Sequence, residues 1–178
     1  MASFALFIDK LFEREGYVSN DPDDKGGFTV FGISTTYYPD DVEKIRDLPY
    51  SEAYAYAAEF YRKHFWDALR LDEVESQMIA EELCDTAVNT GKRNAVLFAQ
   101  RALRLIKQRD GSKASLKIDG RIGKFTLKAI NEVLRPSVLY KAMNGYQFMY
   151  YLHRVESDKS QEKFFEGWLN KRVFEWED

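Results

Sequence analysis

Residues 3–34 read SFALFIDKLFEREGYVSNDPDDKGGFTVFGIS, and this stretch decides the fold class. Phe4, Phe7, Ile8, Leu11 and Phe12 recur at spacings of three and four, with Asp9, Lys10, Glu13 and Arg14 between them. That period predicts an amphipathic helix over Ser3–Glu15, stopped by Gly16. The next step of the apolar stripe lands on Glu15, a carboxylate where a core residue is due. There the helix dipole is negative and the last carbonyls lack partners. Burial and a negative helix end both disfavour the charged form. A carboxyl that keeps its proton is what protonation of a glycosidic leaving group requires. Taken alone, the helix favours the plainer reading, with Glu15 turned to solvent at a frayed end.

The segment that follows changes the balance. Asn20–Gly27 is turn chemistry, with Asp before Pro, an Asp pair and a Gly pair, and residues 28–33 look like a short strand or hairpin arm. Asp21, Asp23, Asp24 and Thr29 fall within 14 residues of Glu15. A hairpin folded back over the helix end would set a second carboxylate and a hydroxyl opposite Glu15, the parts glycoside hydrolysis needs. Asp21-Pro22 is equally well read as turn punctuation. The calcium-loop reading of Asp21-x-Asp23 fails at Lys25, where a ligand is due, and at Gly32, where a bidentate Glu belongs.

Working outward, helices are expected over Glu52–Lys63, with Ser51 as cap, and over Glu75–Asn89, stopped at Gly91. Others follow over Arg93–Gln108, Lys124–Leu134, from Pro136 onward, and over Gln161–Trp176. The fold class is mainly α, with a small β-hairpin near the N-terminus. The 178 residues are 45% hydrophobic and 15% aromatic with 4 Pro, which excludes a disordered chain. No apolar run approaches the roughly 20 residues that span a bilayer. The N-terminus has no basic leader region, so a cytoplasmic origin without a signal peptide is expected. The one cysteine, Cys84, reads as a small core residue, and the two histidines, His64 and His153, lack ligand-spaced partners. No metal or cofactor is expected.

Net charge is −3, unevenly spread. Residues 1–100 carry 10 Lys/Arg against 19 Asp/Glu, whereas residues 101–128 carry 9 against 2. Such a block either forms a solvated face, the plainer reading, or meets a polyanion.

The run Glu15-Gly16-Tyr17-Val18-Ser19-Asn20-Asp21-Pro22-Asp23-Asp24-Lys25-Gly26-Gly27-Phe28-Thr29-Val30-Phe31-Gly32-Ile33-Ser34 resembles the N-terminal signature of the N-acetylmuramidases of glycoside hydrolase family 108, which include phage endolysins and "secretion activators". Members usually read Glu-Gly-Gly-Tyr, whereas Tyr17 and Val18 follow Gly16 here. Counting back from Pro22 without a gap selects Glu15, with Glu13 a rival lying off the stripe. The segment Asp85–Gly91 resembles the family's central helix end. Phe98–Leu103 and Ile118–Thr126 resemble its predicted peptidoglycan-binding region.

The resemblance implies a lysozyme-like helical fold with a catalytic region over 1–91 and a peptidoglycan-binding region over 92–178, packed into one compact unit. It implies that Glu15 is the general acid at the β-1,4 bond between N-acetylmuramic acid and N-acetylglucosamine. Asp24, or alternatively Asp23, would activate or orient water, and Thr29 would hold that water. Tyr37, Tyr61 and Trp66 would stack on sugars, with core or rim packing as the equal alternative for each, and Asn89 would contact substrate. The implied partner is the peptidoglycan glycan strand, whose carboxylates the basic block would attract. Nucleic acid and membrane insertion are not implied. Action in the periplasm or wall would require a holin or a secretion system. A lytic transglycosylase and a non-catalytic wall-binding accessory protein are the alternatives, and the Asp-rich turn favours the hydrolase.

Overall fold

The computed structural model describes residues 1–20 and 27–173. These residues form eight α-helices and a three-stranded antiparallel sheet near the N-terminus. They fall into two compact units, Ser3–Ala68 and, with Met1–Ala2, Leu69–Asp178.

The first unit begins with a 3-10 turn, Phe4–Leu6, that leads into α1 (Ile8–Glu15). Phe7 and Leu11 are fully buried, as the stripe requires, and Gly16 ends the helix at φ 75°. The expected hairpin is a meander of three two-residue strands: β1 (Val18–Ser19), β2 (Thr29–Val30) and β3 (Ile33–Ser34). Val30 pairs with both Val18 and Ile33, and Thr29 with both Ser19 and Ser34. The β2–β3 connection has two residues, Phe31 at φ 48° and Gly32 at φ 76°. Both are left-handed, the geometry of a hairpin turn that normally takes Asn-Gly. A phenylalanine there is strained. Its ring offsets the strain by burial against Phe12, Tyr17 and Tyr50, with centroids 4.5, 4.9 and 5.5 Å away.

A short helix not expected from the sequence, α2 (Pro39–Ile45), follows, with proline in its first turn and Asp40 and Asp41 facing its positive end. Next, α3 (Tyr50–Tyr61) starts one residue before Ser51, which makes no capping hydrogen bond; Pro49 at φ −54° begins the helix instead. It runs on into a π-helical turn, Arg62–Trp66. This widened turn rotates Trp66 fully into the core, where its ring meets Phe4 and Phe7 at 5.5 and 5.8 Å.

In the second unit, α4 (Gln77–Thr90) is capped by Ser76 and ends at Gly91, φ 88°. The chain reverses into α5 (Lys92–Leu103), and both helices pack on α7 (Pro136–Ser157), which opens at its proline. Between them lies α6 (Lys124–Asn131), and α8 (Glu162–Arg172) closes the described chain against α7. The expected α5 continued to Gln108 and the expected α6 to Leu134. Both helices end early because Gln108 and Val133 pair as a β-bridge, and Lys107 pairs with Lys113. Across the core, Arg172 of α8 reaches Asp85 of α4 at 3.0 Å, with both side chains almost wholly buried. Among the described residues no helix is long and apolar enough to cross a membrane.

Candidate active site

Glu15 sits at the last turn of α1, half-buried, whereas its rival Glu13 is exposed. The β2–β3 turn lies directly against it. A methyl group added to Gly32 would come within 2.7 Å of Glu15 Oε2 and 2.8 Å of Tyr61 Oη, so only glycine leaves room for both oxygens. Tyr61 comes from α3, is 1% exposed, and donates its hydroxyl to the Phe31 carbonyl at 2.9 Å. The Phe31 amide in turn bonds the Tyr17 carbonyl at 2.6 Å. Three segments therefore converge on one point: the end of α1, the strained turn and the end of α3.

Thr29 lies two residues before that turn and is half-buried. Its cross-strand partners are Ser19 and Ser34, and directly paired residues share a sheet face, so three hydroxyls stand in a row. Asp23, Asp24 and Asp21 lie outside the described residues.

The remaining candidates separate. Tyr37 is 71% exposed, with an accessible ring. Trp66 is fully buried between Phe4 and Phe7, which corrects the stacking role to the packing alternative. Tyr61 has no open ring face either, and what it brings to the site is its hydroxyl. Asn89, near the end of α4, is half-buried and donates to the Asp85 carbonyl at 2.8 Å. His64 is wedged between Phe60 and Tyr38. Burial pushes the Cys84 thiol well up, which makes it a poor nucleophile. Tyr54, which packs on Phe12 and Phe31, donates to Asp9, and that bond pushes the phenol up to about 12.

Gly32 and the Tyr61 hydroxyl escape a reading based on carboxylates and sugar-stacking rings. The signal was present in Phe31-Gly32, two residues between apolar neighbours with Gly second, which is the hairpin-turn pattern.

The comparisons with known proteins support a protein that acts on peptidoglycan. Residues 8–91 match the model "Glycosyl hydrolase 108", and residues 94–173 match "Predicted Peptidoglycan domain". The chain is thus similar to a glycosyl hydrolase 108 domain over its first half and to a predicted peptidoglycan domain over its second. Its fold is similar to that of Brucella abortus SagA, with a TM-score of 0.70 at 20% identity, over 93% of this chain and 86% of that one. No curated protein sequence matches. The matched segments divide near residue 92, whereas the compact units divide at Ala68–Leu69; α4 belongs to the first match by sequence and packs with α5 and α7.

Proposed function

We propose that this protein is an N-acetylmuramidase that hydrolyses the β-1,4 bond between N-acetylmuramic acid and N-acetylglucosamine. The observation that carries the reading is the Glu15 carboxyl, held against the backbone of Gly32 beside the Tyr61 hydroxyl. Tyr61 spends its proton on the Phe31 carbonyl. In this reading Glu15 must hold its proton until substrate binds, as a general acid does.

In this reading Glu15 donates its proton to the glycosidic oxygen as the bond from that oxygen to the anomeric carbon breaks. Water attacks the anomeric carbon and gives its proton to a carboxylate, Asp24 ahead of Asp23. The products are a new reducing end on N-acetylmuramic acid and a free 4-hydroxyl on N-acetylglucosamine. Thr29, in its row of hydroxyls, steadies the water. Tyr37 is the aromatic available for a sugar face, and Asn89 is a further substrate contact. The catalytic region is assigned to 1–91 and the wall-binding region to 92–178. The chain acts in the periplasm or wall, reached through a membrane pore or an export apparatus.

The test is solubilisation of dye-labelled sacculi by wild type, Glu15→Gln and Glu13→Gln. Glu15→Gln should lose at least about 100-fold in rate, the span of one general acid, while Glu13→Gln keeps wild-type activity. The reverse pattern would move the acid to Glu13, and equal activity of all three would overturn the assignment.

A further inference from the structure

The loop between α5 and α6 is braced from beneath by one buried side chain. Gln100, 1% exposed, accepts from the amides of Asp119 and Gly120 at 3.0 and 2.9 Å through its carbonyl oxygen. Its amide nitrogen lies 3.1 Å from Asp119 Oδ1, 3.1 Å from the Arg121 carbonyl and 3.2 Å from Thr126 Oγ1. Gly120, at φ 71°, presses on Arg93 and Leu97 so closely that a Cβ would stand 2.7 Å from Arg93 Cγ. The Arg121 amide bonds the Asp119 carboxylate and holds its pKa down, and the nearby Lys117 and Arg121 charges add to that effect.

What the brace presents outward is cationic and aromatic. Residues 113–124 carry Lys113, Lys117, Arg121 and Lys124 against the one carboxylate of Asp119. Lys117, Arg121 and Phe125 line an open pocket of about 180 Å³ together with Asp119, Gln100 and Thr126, so two cations stand against one carboxylate there. Phe125 is 67% exposed, and Lys124 Nζ sits 5.1 Å from its ring centroid. A pocket of this size suits a short charged side branch.

We propose that this pocket is a docking subsite for the carboxylate-bearing stem peptide of peptidoglycan. Lys117 and Arg121 take the carboxylate, and the Phe125 ring takes an apolar face of the adjoining peptide. The subsite rests on the peptidoglycan reading of the chain and requires no chemistry from Glu15.

The test uses the full chain, titrated with a disaccharide-tetrapeptide muropeptide and, separately, with a peptide-free glycan of the same sugars. Single reversals Lys117→Glu and Arg121→Glu should weaken muropeptide binding about two- to fivefold each, as exposed ion pairs do. The double reversal should weaken it more than tenfold at low salt, with the difference shrinking in high salt. Phe125→Ala should weaken binding at any salt, and the peptide-free glycan should bind all variants alike. Among the described residues neither side chain is in a salt bridge, and both act on Asp119 only through the field of their charges, so unchanged circular dichroism is expected for the reversals. Equal muropeptide binding by wild type and double reversal would overturn the proposal, as would equal losses for the peptide-free glycan. Failure of the wild type to cleave sacculi would instead count against the muramidase reading.

Discussion

At the residue scale, the site depends on an atom that is absent. Gly32 is left-handed and has Glu15 and Tyr61 where its side chain would be. Gly32→Ala should therefore displace the Glu15 carboxyl and lower sacculus cleavage at least about 100-fold, since small misplacements cost that much. Gly91→Ala is the control, because Gly91 is also left-handed at φ 88° but has nothing within 4 Å of the added carbon. It should cost roughly 1–2 kcal/mol in thermal unfolding and leave turnover per folded molecule unchanged. Tyr61→Phe keeps the buried ring and removes the hydroxyl. It should lower kcat about tenfold with KM within twofold on soluble glycan fragments. A wild-type kcat would mean that the hydroxyl plays no part in holding Glu15.

At the element scale, the loop beneath α6 hangs on Gln100. Gln100→Leu keeps the bulk but orphans the amides of Asp119 and Gly120, and should cost about 2–3 kcal/mol in denaturant unfolding. Asp119 adds a pH signature. Its folded pKa lies below the ordinary 3.8, chiefly through the Arg121 amide, so its contribution is present above that value and lost as pH falls through the lower one. Asp119→Asn should flatten the acid limb of the stability curve below pH 3.8. Helices with strong punctuation were legible in the sequence. The Phe4–Phe12 stripe with Gly16, the Gly91 stop and the Pro136 start all stand where local chemistry puts them. What was not legible depended on partners distant in sequence. Gln108 pairs with Val133, the π-turn after α3 exists to bury Trp66, and Phe31 tolerates a strained turn because four other aromatics surround its ring. At the candidate site, Glu15 breaks the apolar stripe, a signal that pointed to chemistry only together with the Asp-rich turn after it. Gly32 was marked only by the Phe31-Gly32 turn pattern, and Tyr61 and Gln100 act through hydrogen bonds that no spacing rule encodes.

At the scale of the whole molecule, two features extend beyond any one element. In the second unit, α8 is tied to α4 by the buried Arg172–Asp85 pair. Arg172→Met strands the Asp85 charge and should cost about 3–5 kcal/mol in calorimetry. Adding Asp85→Leu should recover much of that loss; no recovery would mean that the pair contributes more than the cost of a stranded charge. The second feature is the division of charge, with an acidic first hundred residues and a basic block after them. It fits a chain that meets an anionic polymer with one region and cleaves it with another. The most direct measurement of that account is digestion of purified sacculi in ¹⁸O-water, with mass spectrometry of the released fragments. A muramidase acting through Glu15 predicts reducing N-acetylmuramic acid ends carrying one ¹⁸O, absent with Glu15→Gln. Unlabelled anhydro ends, or no fragments from a folded wild-type protein, would contradict it.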